Sequence, residues 1–198
     1  MSTSTYTASG IEFPYEGFTT EHISLEDIAH HLSLINRWCG GTSIPFSVLN
    51  HTLYCGEIAS STFCVGPRLF SLVLLHDAHE AYTGDIPSPM RDRVPFITDL
   101  QARLDMVIFR KFGLKIPNEN ERKIMHEVDM LAQVGEALAY MPEVVYRAVR
   151  QRSGAEIPMD WPCPRGITAS RMEIKFQLEE SLDAIRSEQV SKALNGDT

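Results

Sequence analysis

Four titratable side chains, His76, Asp77, His79 and Glu80, follow directly on the apolar run LFSLVLL, and the segment then breaks at GDIPSP. Burying such groups without partners costs several kcal/mol, so a cation, a bound water or an exposed turn has to satisfy them. On an α-helix, neighbours such as His76 and Asp77 diverge by about 100° and do not chelate as an i, i+4 pair does. Near a helix end, both can reach one ion from adjacent directions. Further ligands must then come from other helices. The sequence offers His51 and Asp129, each interrupting an apolar helical stretch, VLNHTLYC and MHEVDMLAQVG. His126 lies about one turn before Asp129 and shares its face, and Glu127 is close by, so the residues alone leave the fourth ligand open. A mixed His/carboxylate set suits Zn, Mn, Co or Fe and leaves positions open for water and substrate.

The elements that position these residues read as helices. Ser24-Leu-Glu-Asp27 resembles a capping box and opens a helix running to about Trp38, stopped by Gly40-Gly41. Pro45 precedes a second helical pattern, FSVLNHTLYCGEIA, and Pro67 begins a third, RLFSLVLLHDAHEAYT, ended by Gly84. A broken helical pattern covers Val94–Phe112 and stops at Gly113. Asn118 with Glu121 caps a long helix that Pro142 terminates, and a short one follows around Glu143–Arg152. After a Pro-rich connector, IPMDWPCP, a last amphipathic helix runs from about Ser170 to Leu194. Strand patterns are nearly absent, so the expected fold class is all-α. Residues 1–20 are polar and punctuated by Gly and Pro, which predicts an extended arm or frayed end ahead of a single domain over 21–198.

Composition narrows the function. The 198 residues, 43% hydrophobic and 22% charged, suit one globular domain. A net charge of −8 without a Lys/Arg-rich block argues against a nucleic-acid polymer as partner, while a small anionic substrate needs only a few local cations. Cys39, Cys55, Cys64 and Cys163 show no C-x-x-C spacing, so neither a zinc ribbon nor a disulfide frame is suggested. No apolar run approaches membrane-spanning length, and the opening MSTSTYTASGIEF lacks a signal-peptide pattern, so a cytoplasmic protein without membrane attachment is expected.

An isolated His, an adjacent His-Asp pair and a distant Asp, all on helical segments, resemble the HD-domain metal-dependent phosphohydrolases. HDAHEAYTGDIPSPMR resembles the H-D-A-x-E-x-x-x-G-D-x-P-x-P-[VM]-[KR] signature of the compact 5′-deoxynucleotidase branch. DIAHHLSLINRW followed by PFSVLNHTL resembles the upstream half of phage members, among them dATP triphosphohydrolases. The likeness runs from about Ile23 to Leu138. It implies a single-domain HD-type helical bundle, in which His51, His76, Asp77 and Asp129 bind a divalent metal (Zn, Mn or Co, with Mg an option at a second site). It further implies that Glu80 positions or deprotonates the attacking water, assisted by Asp85. Arg37, Trp38 and Arg91 would meet the sugar and phosphate, with Pro87 and Pro89 stiffening the loop that carries Arg91. A homo-oligomer, dimer or hexamer, is the family's habit.

The duller readings differ in weight. A lone His51 is more often a hydrogen-bonded core residue than a ligand, and only its order relative to the other three reverses that. His79 occupies the variable position of the signature, and His30 and His31 read as surface or packing residues. The duller alternatives are core packing for Trp38, a neighbouring acid's partner for Arg37 and a solvated helix carboxylate for Glu80, and the family match favours the functional reading of each. The expected function is therefore metal-dependent hydrolysis of the 5′-phosphate ester of a small deoxynucleotide. The foremost reading is dATP to deoxyadenosine and triphosphate in control of the nucleotide pool, and the alternative is 5′-deoxynucleotidase action on dNMPs. An inactive nucleotide-binding HD scaffold and a purely structural helical protein stand outside these: loss of a ligand or of Glu80 would favour the first, and none is lost, while the second leaves HDAHE unexplained.

Overall fold

Caps and breakers divide the chain close to where the sequence places them. The computed structural model describes residues 3–155, 157, 161–164 and 170–195. Its helices are α1 (Leu25–Leu34), α2 (Val48–Ser61), α3 (Pro67–Leu74), α4 (Glu80–Thr83), α5 (Ser88–Arg91), α6 (Pro95–Lys111), α7 (Glu119–Tyr140), α8 (Glu143–Ser153) and α9 (Arg171–Asn195). A two-stranded antiparallel hairpin, β1 (Ser4–Tyr6) with β2 (Glu12–Pro14), precedes them. The fold is all-α in substance. Ser24, Ser47 and Asn118 cap α1, α2 and α7, each side chain accepting from a first-turn amide, and Ser47/Asn50 and Asn118/Glu121 complete capping boxes. Residues 158–160 of the expected Pro-rich connector lie outside the described residues.

The apolar stripe of each helix decides its neighbours. α2 is buried along most of its length and packs against α1, α3 and α7. α9 lies across α3 and α1 with Ile174, Leu178 and Leu182 buried at i, i+4 spacing. Leu49, Leu72, Leu75, Leu104 and Ile108 meet in the central core. The residues expected as an arm or frayed end are anchored by Phe13, which is fully buried and stacks on Tyr82 with ring centroids 4.5 Å apart. Among the described residues, no helix is long and apolar enough to cross a membrane.

Two expected helices are shorter than their periodicity suggests. The first ends at Leu34 rather than near Trp38, because the backbone beyond it pairs with the approach to α2. Arg37 N–H donates to Phe46 O at 2.9 Å and Val48 N–H to Ile35 O at 2.9 Å. The third breaks after Leu74. Residues 75–80 instead form i→i−3 bonds, including Ala78 N–H to Leu75 O at 3.1 Å and Glu80 N–H to Asp77 O at 2.9 Å. At three residues per turn, positions i and i+3 eclipse. Asp77 and Glu80 therefore project to the same side.

Candidate metal centre and its cavity

The loosened turn after α3 delivers His76 and Asp77, α2 delivers His51, and α7 delivers Asp129. His51 Nε2 lies 3.2 Å from His76 Nε2, 3.4 Å from Asp77 Oδ2 and 3.2 Å from Asp129 Oδ1, and His76 Nε2 lies 3.2 Å from Asp77 Oδ2. A tetrahedral ion with bonds of about 2.0–2.1 Å separates its donors by about 3.3 Å. The donor set and its spacing therefore fit a divalent cation. Each histidine has its far nitrogen engaged, leaving Nε2 for the cluster. His76 Nδ1–H donates to Val73 O at 2.7 Å, and His51 Nδ1 meets Glu136 Oε1 at 2.5 Å. Cys55, one turn along α2 from His51, brings Sγ to 3.5 Å from His51 Nε2. His126 and Glu127 are exposed, so of the residues competing around position 129 the structure turns Asp129 inward.

The electrostatics show how much positive charge the cluster demands. Burial and Arg37 oppose a proton on His51, yet Cys55, Glu136 and Asp129 outweigh them and raise its pKa well above the ordinary value. His76 is also raised, burial being overcome by Asp77. Asp77 and Asp129 are lowered in spite of burial, chiefly by His76 and His51 respectively. Glu80 behaves differently. It is only 4% exposed, its Oε2 has no hydrogen-bond partner, and burial, then Asp77 and Asp85, push its pKa up to about 10. Burial likewise raises Asp85.

A cavity of about 360 Å³ opens beside the cluster, lined among others by Arg37, Trp38, Asp77, Glu80, Asp85 and Arg91. That volume lies in the range of about 300–1,000 Å³ common for small-molecule sites. Arg37 is nearly buried, its Nε 3.1 Å from Glu136 Oε2 and its Nη1 3.5 Å from Asp77 Oδ2. Burial works against its charge, and Glu136 and Asp77 more than offset that. Trp38 and Cys39 both take positive φ, 57° and 50°, a conformation that costs an L-residue of order 1–2 kcal/mol. Such strain gathers where a side chain has to be aimed. Arg91 is more open, its Nη2 donating to Ser88 Oγ at 3.2 Å.

His79 and the remaining histidines point elsewhere. His79 Nδ1 pairs with Asp105 at 2.8 Å, His31 Nδ1–H donates to Ala81 O at 2.7 Å, and His30 meets Arg171. Sequence reasoning missed Glu136, fully buried behind His51, Arg37 and Trp38. Its signal is a charge inside the apolar stretch VGEALAYM, seven positions and so two turns beyond Asp129 on the same helix face.

The fold is similar to that of a solved HD phosphohydrolase. The cyanophage S-2L HD phosphohydrolase DatZ, solved bound to dA and one catalytic Zn²⁺ ion, superposes with a TM-score of 0.51 at 18% identity, over 79% of this chain and 95% of its own. In sequence, the uncharacterised protein YfdR of Escherichia coli K12 is 28% identical over 166 residues, covering 84% of this chain and 81% of its own length. The 5′-deoxynucleotidase yfbR of Photorhabdus temperata is 28% identical over 99 residues, 44% of this chain and 50% of that protein. No protein-family model matches the chain.

Proposed function

We propose that the protein is a metal-dependent phosphohydrolase that cleaves the 5′-phosphate ester of deoxynucleotides, with dATP as substrate and deoxyadenosine and triphosphate as products. The observation that carries the reading is His51 Nε2 within 3.2–3.4 Å of His76, Asp77 and Asp129, with Asp77 and Asp129 on the wall of a cavity lined also by Arg37, Trp38 and Arg91. His51, His76, Asp77 and Asp129 would hold a divalent cation, which when bound would lower the pKa of a water and screen phosphate charge. Glu80 and Asp85 face the same cavity. With a cation bound beside it Glu80 would be ionised; it steers the attacking water and takes its proton as the bond to the α-phosphorus forms, the bond to the 5′ oxygen breaks and that oxygen is protonated in turn, and Asp85 assists. Arg37 and Arg91 hold phosphate oxygens, and the Trp38 ring packs on the nucleoside. The dA bound to the cyanophage enzyme supports adenine as the base. The likeness to a 5′-deoxynucleotidase supports a second reading, release of phosphate from dNMPs at the same site.

Anion-exchange analysis of dATP, dGTP and dAMP, each incubated with Mn²⁺, Co²⁺ or Zn²⁺, separates the readings. Deoxyadenosine with intact triphosphate, from dATP alone, is the expected result. Turnover of dAMP without attack on dATP favours the second reading, and no turnover with any metal refutes both.

A further inference from the structure

Glu136 is fully buried on α7, yet it offers no atom to the His/Asp cluster and lines no part of the cavity. A buried carboxylate costs several kcal/mol unless its lone pairs are well used. Here Oε1 meets His51 Nδ1 at 2.5 Å, while Oε2 accepts from Arg37 Nε at 3.1 Å and from Trp38 Nε1 at 2.9 Å. The first contact sets the His51 tautomer and turns Nε2 toward His76, Asp77 and Asp129. The other two fix the guanidinium and the indole, and they do so across a turn whose backbone is strained at Trp38 and Cys39. One side chain thus grips the metal-facing histidine with one oxygen and the two nucleotide-facing residues with the other.

The geometry points to Glu136 as a positioning residue that couples cation binding at His51 to the placement of Arg37 and Trp38 for the nucleotide. This assignment rests on the proposed phosphohydrolase reading for its nucleotide half; its metal half stands on the cluster alone. The chemistry of the amide supplies the test. A glutamine has one accepting oxygen and one NH₂ group, so it cannot accept on both sides. If its oxygen stays with Arg37 and Trp38, its NH₂ faces His51 Nδ1, the tautomer reverses, and Nε2–H points into the cluster. If its oxygen stays with His51, its NH₂ confronts two other donors and releases Arg37 and Trp38.

Glu136→Gln is therefore expected to lower zinc affinity, measured by competition with a chromophoric chelator, by about 10–100-fold. Nucleotide KM should rise more than kcat falls. A readout independent of turnover is the emission of Trp38 in a Trp161→Phe background, which removes the only other tryptophan. Zinc should shift that emission in the parent, and the shift should vanish with Glu136→Gln. A folded Glu136→Gln protein with parental zinc affinity, KM and emission response overturns the assignment. Should that variant not fold, Trp38→Phe decides. It removes one neutral donor from Oε2 and none from the cluster, and it should weaken zinc by at least a few-fold. Unchanged zinc affinity there overturns the coupling. A parent protein that binds zinc but hydrolyses no nucleotide instead refutes the functional reading, and the zinc and emission results still judge Glu136.

Discussion

Gly135 sits on α7 between two fully buried residues, Val134 and Glu136, in a helix interior where alanine ordinarily gains about 1 kcal/mol over glycine. Here the space is taken. A Cβ at position 135 would lie 2.2 Å from Tyr54 Oη and 3.1 Å from the ring carbons beside it. Tyr54 is almost fully buried, and its hydroxyl donates to Pro162 O at 2.7 Å. To admit one methyl, the ring has to retreat into packed neighbours, an overpacking cost of about 1–3 kcal/mol. Its buried hydrogen bond is lost as well, at a further ~1–3 kcal/mol. Set against the helix gain, Gly135→Ala is expected to destabilise the protein by about 3 kcal/mol. For a chain of this size that lowers Tm by roughly 6–12 °C. Urea denaturation and thermal melts of Gly135→Ala, Tyr54→Phe and the double variant test it. Removing the hydroxyl takes away the 2.2 Å contact, so the double variant should lose less than the sum of the singles. A Gly135→Ala protein as stable as the parent, or more so, would refute the steric reasoning and leave helix propensity as the only force at that site.

Two further outcomes are expected. The pKa of Glu80, raised to about 10, lies above its unfolded value of 4.5, so the metal-free protein carries a proton there that the unfolded chain does not, and its stability falls as pH rises through that window. Glu80→Gln removes the penalty. It should stabilise chelator-treated protein by about 3 kcal/mol at pH 7, with the gap narrowing by about 1.4 kcal/mol per unit on going down to pH 5 in urea titrations, and it should lose phosphate release in the metal-loaded enzyme. An equal gap at both pH values contradicts the argument. Asp129→Ala should abolish stoichiometric zinc in the purified protein while His126→Ala leaves it intact; the reverse pattern, read by metal analysis, would move the fourth donor.

What could be read along the chain was whatever has a local cause. Asn118 with Glu121, Gly113 and Gly84 mark helix ends through caps and positive φ, and the structure puts ends there. His51 and Asp129 stood out because each breaks an apolar stretch, and they are brought together with His76 and Asp77. What could not be read depends on partners distant in sequence. The helical period continues past Leu34, but pairing with Phe46 and Val48 overrides it and frees Arg37 and Trp38 to turn. Glu136 looks like one more helix carboxylate until the fold places Arg37, 99 positions away, against it. The N-terminal hairpin escaped because its strands are three residues long and mostly polar, with Phe13 the one buried residue of the six.

That hairpin governs more than the terminus. α4, which begins at Glu80, is a single turn, too short to hold its shape unaided. Its last carbonyls are taken up from outside: Tyr15 Oη donates to Tyr82 O at 3.0 Å, and His31 donates to Ala81 O while accepting from Ala8 N–H at 3.1 Å. Phe13 covers the Tyr82 ring beside them. In thermodynamic terms residues 3–18 behave as a ligand tethered to the turn that bears Glu80. A short tether holds such a ligand at an effective concentration on the order of millimolar, so modest contacts keep it seated. Once clipped from the chain, the same segment would be governed by its own dissociation constant, and adding it back as a free peptide would restore the turn in proportion to its concentration.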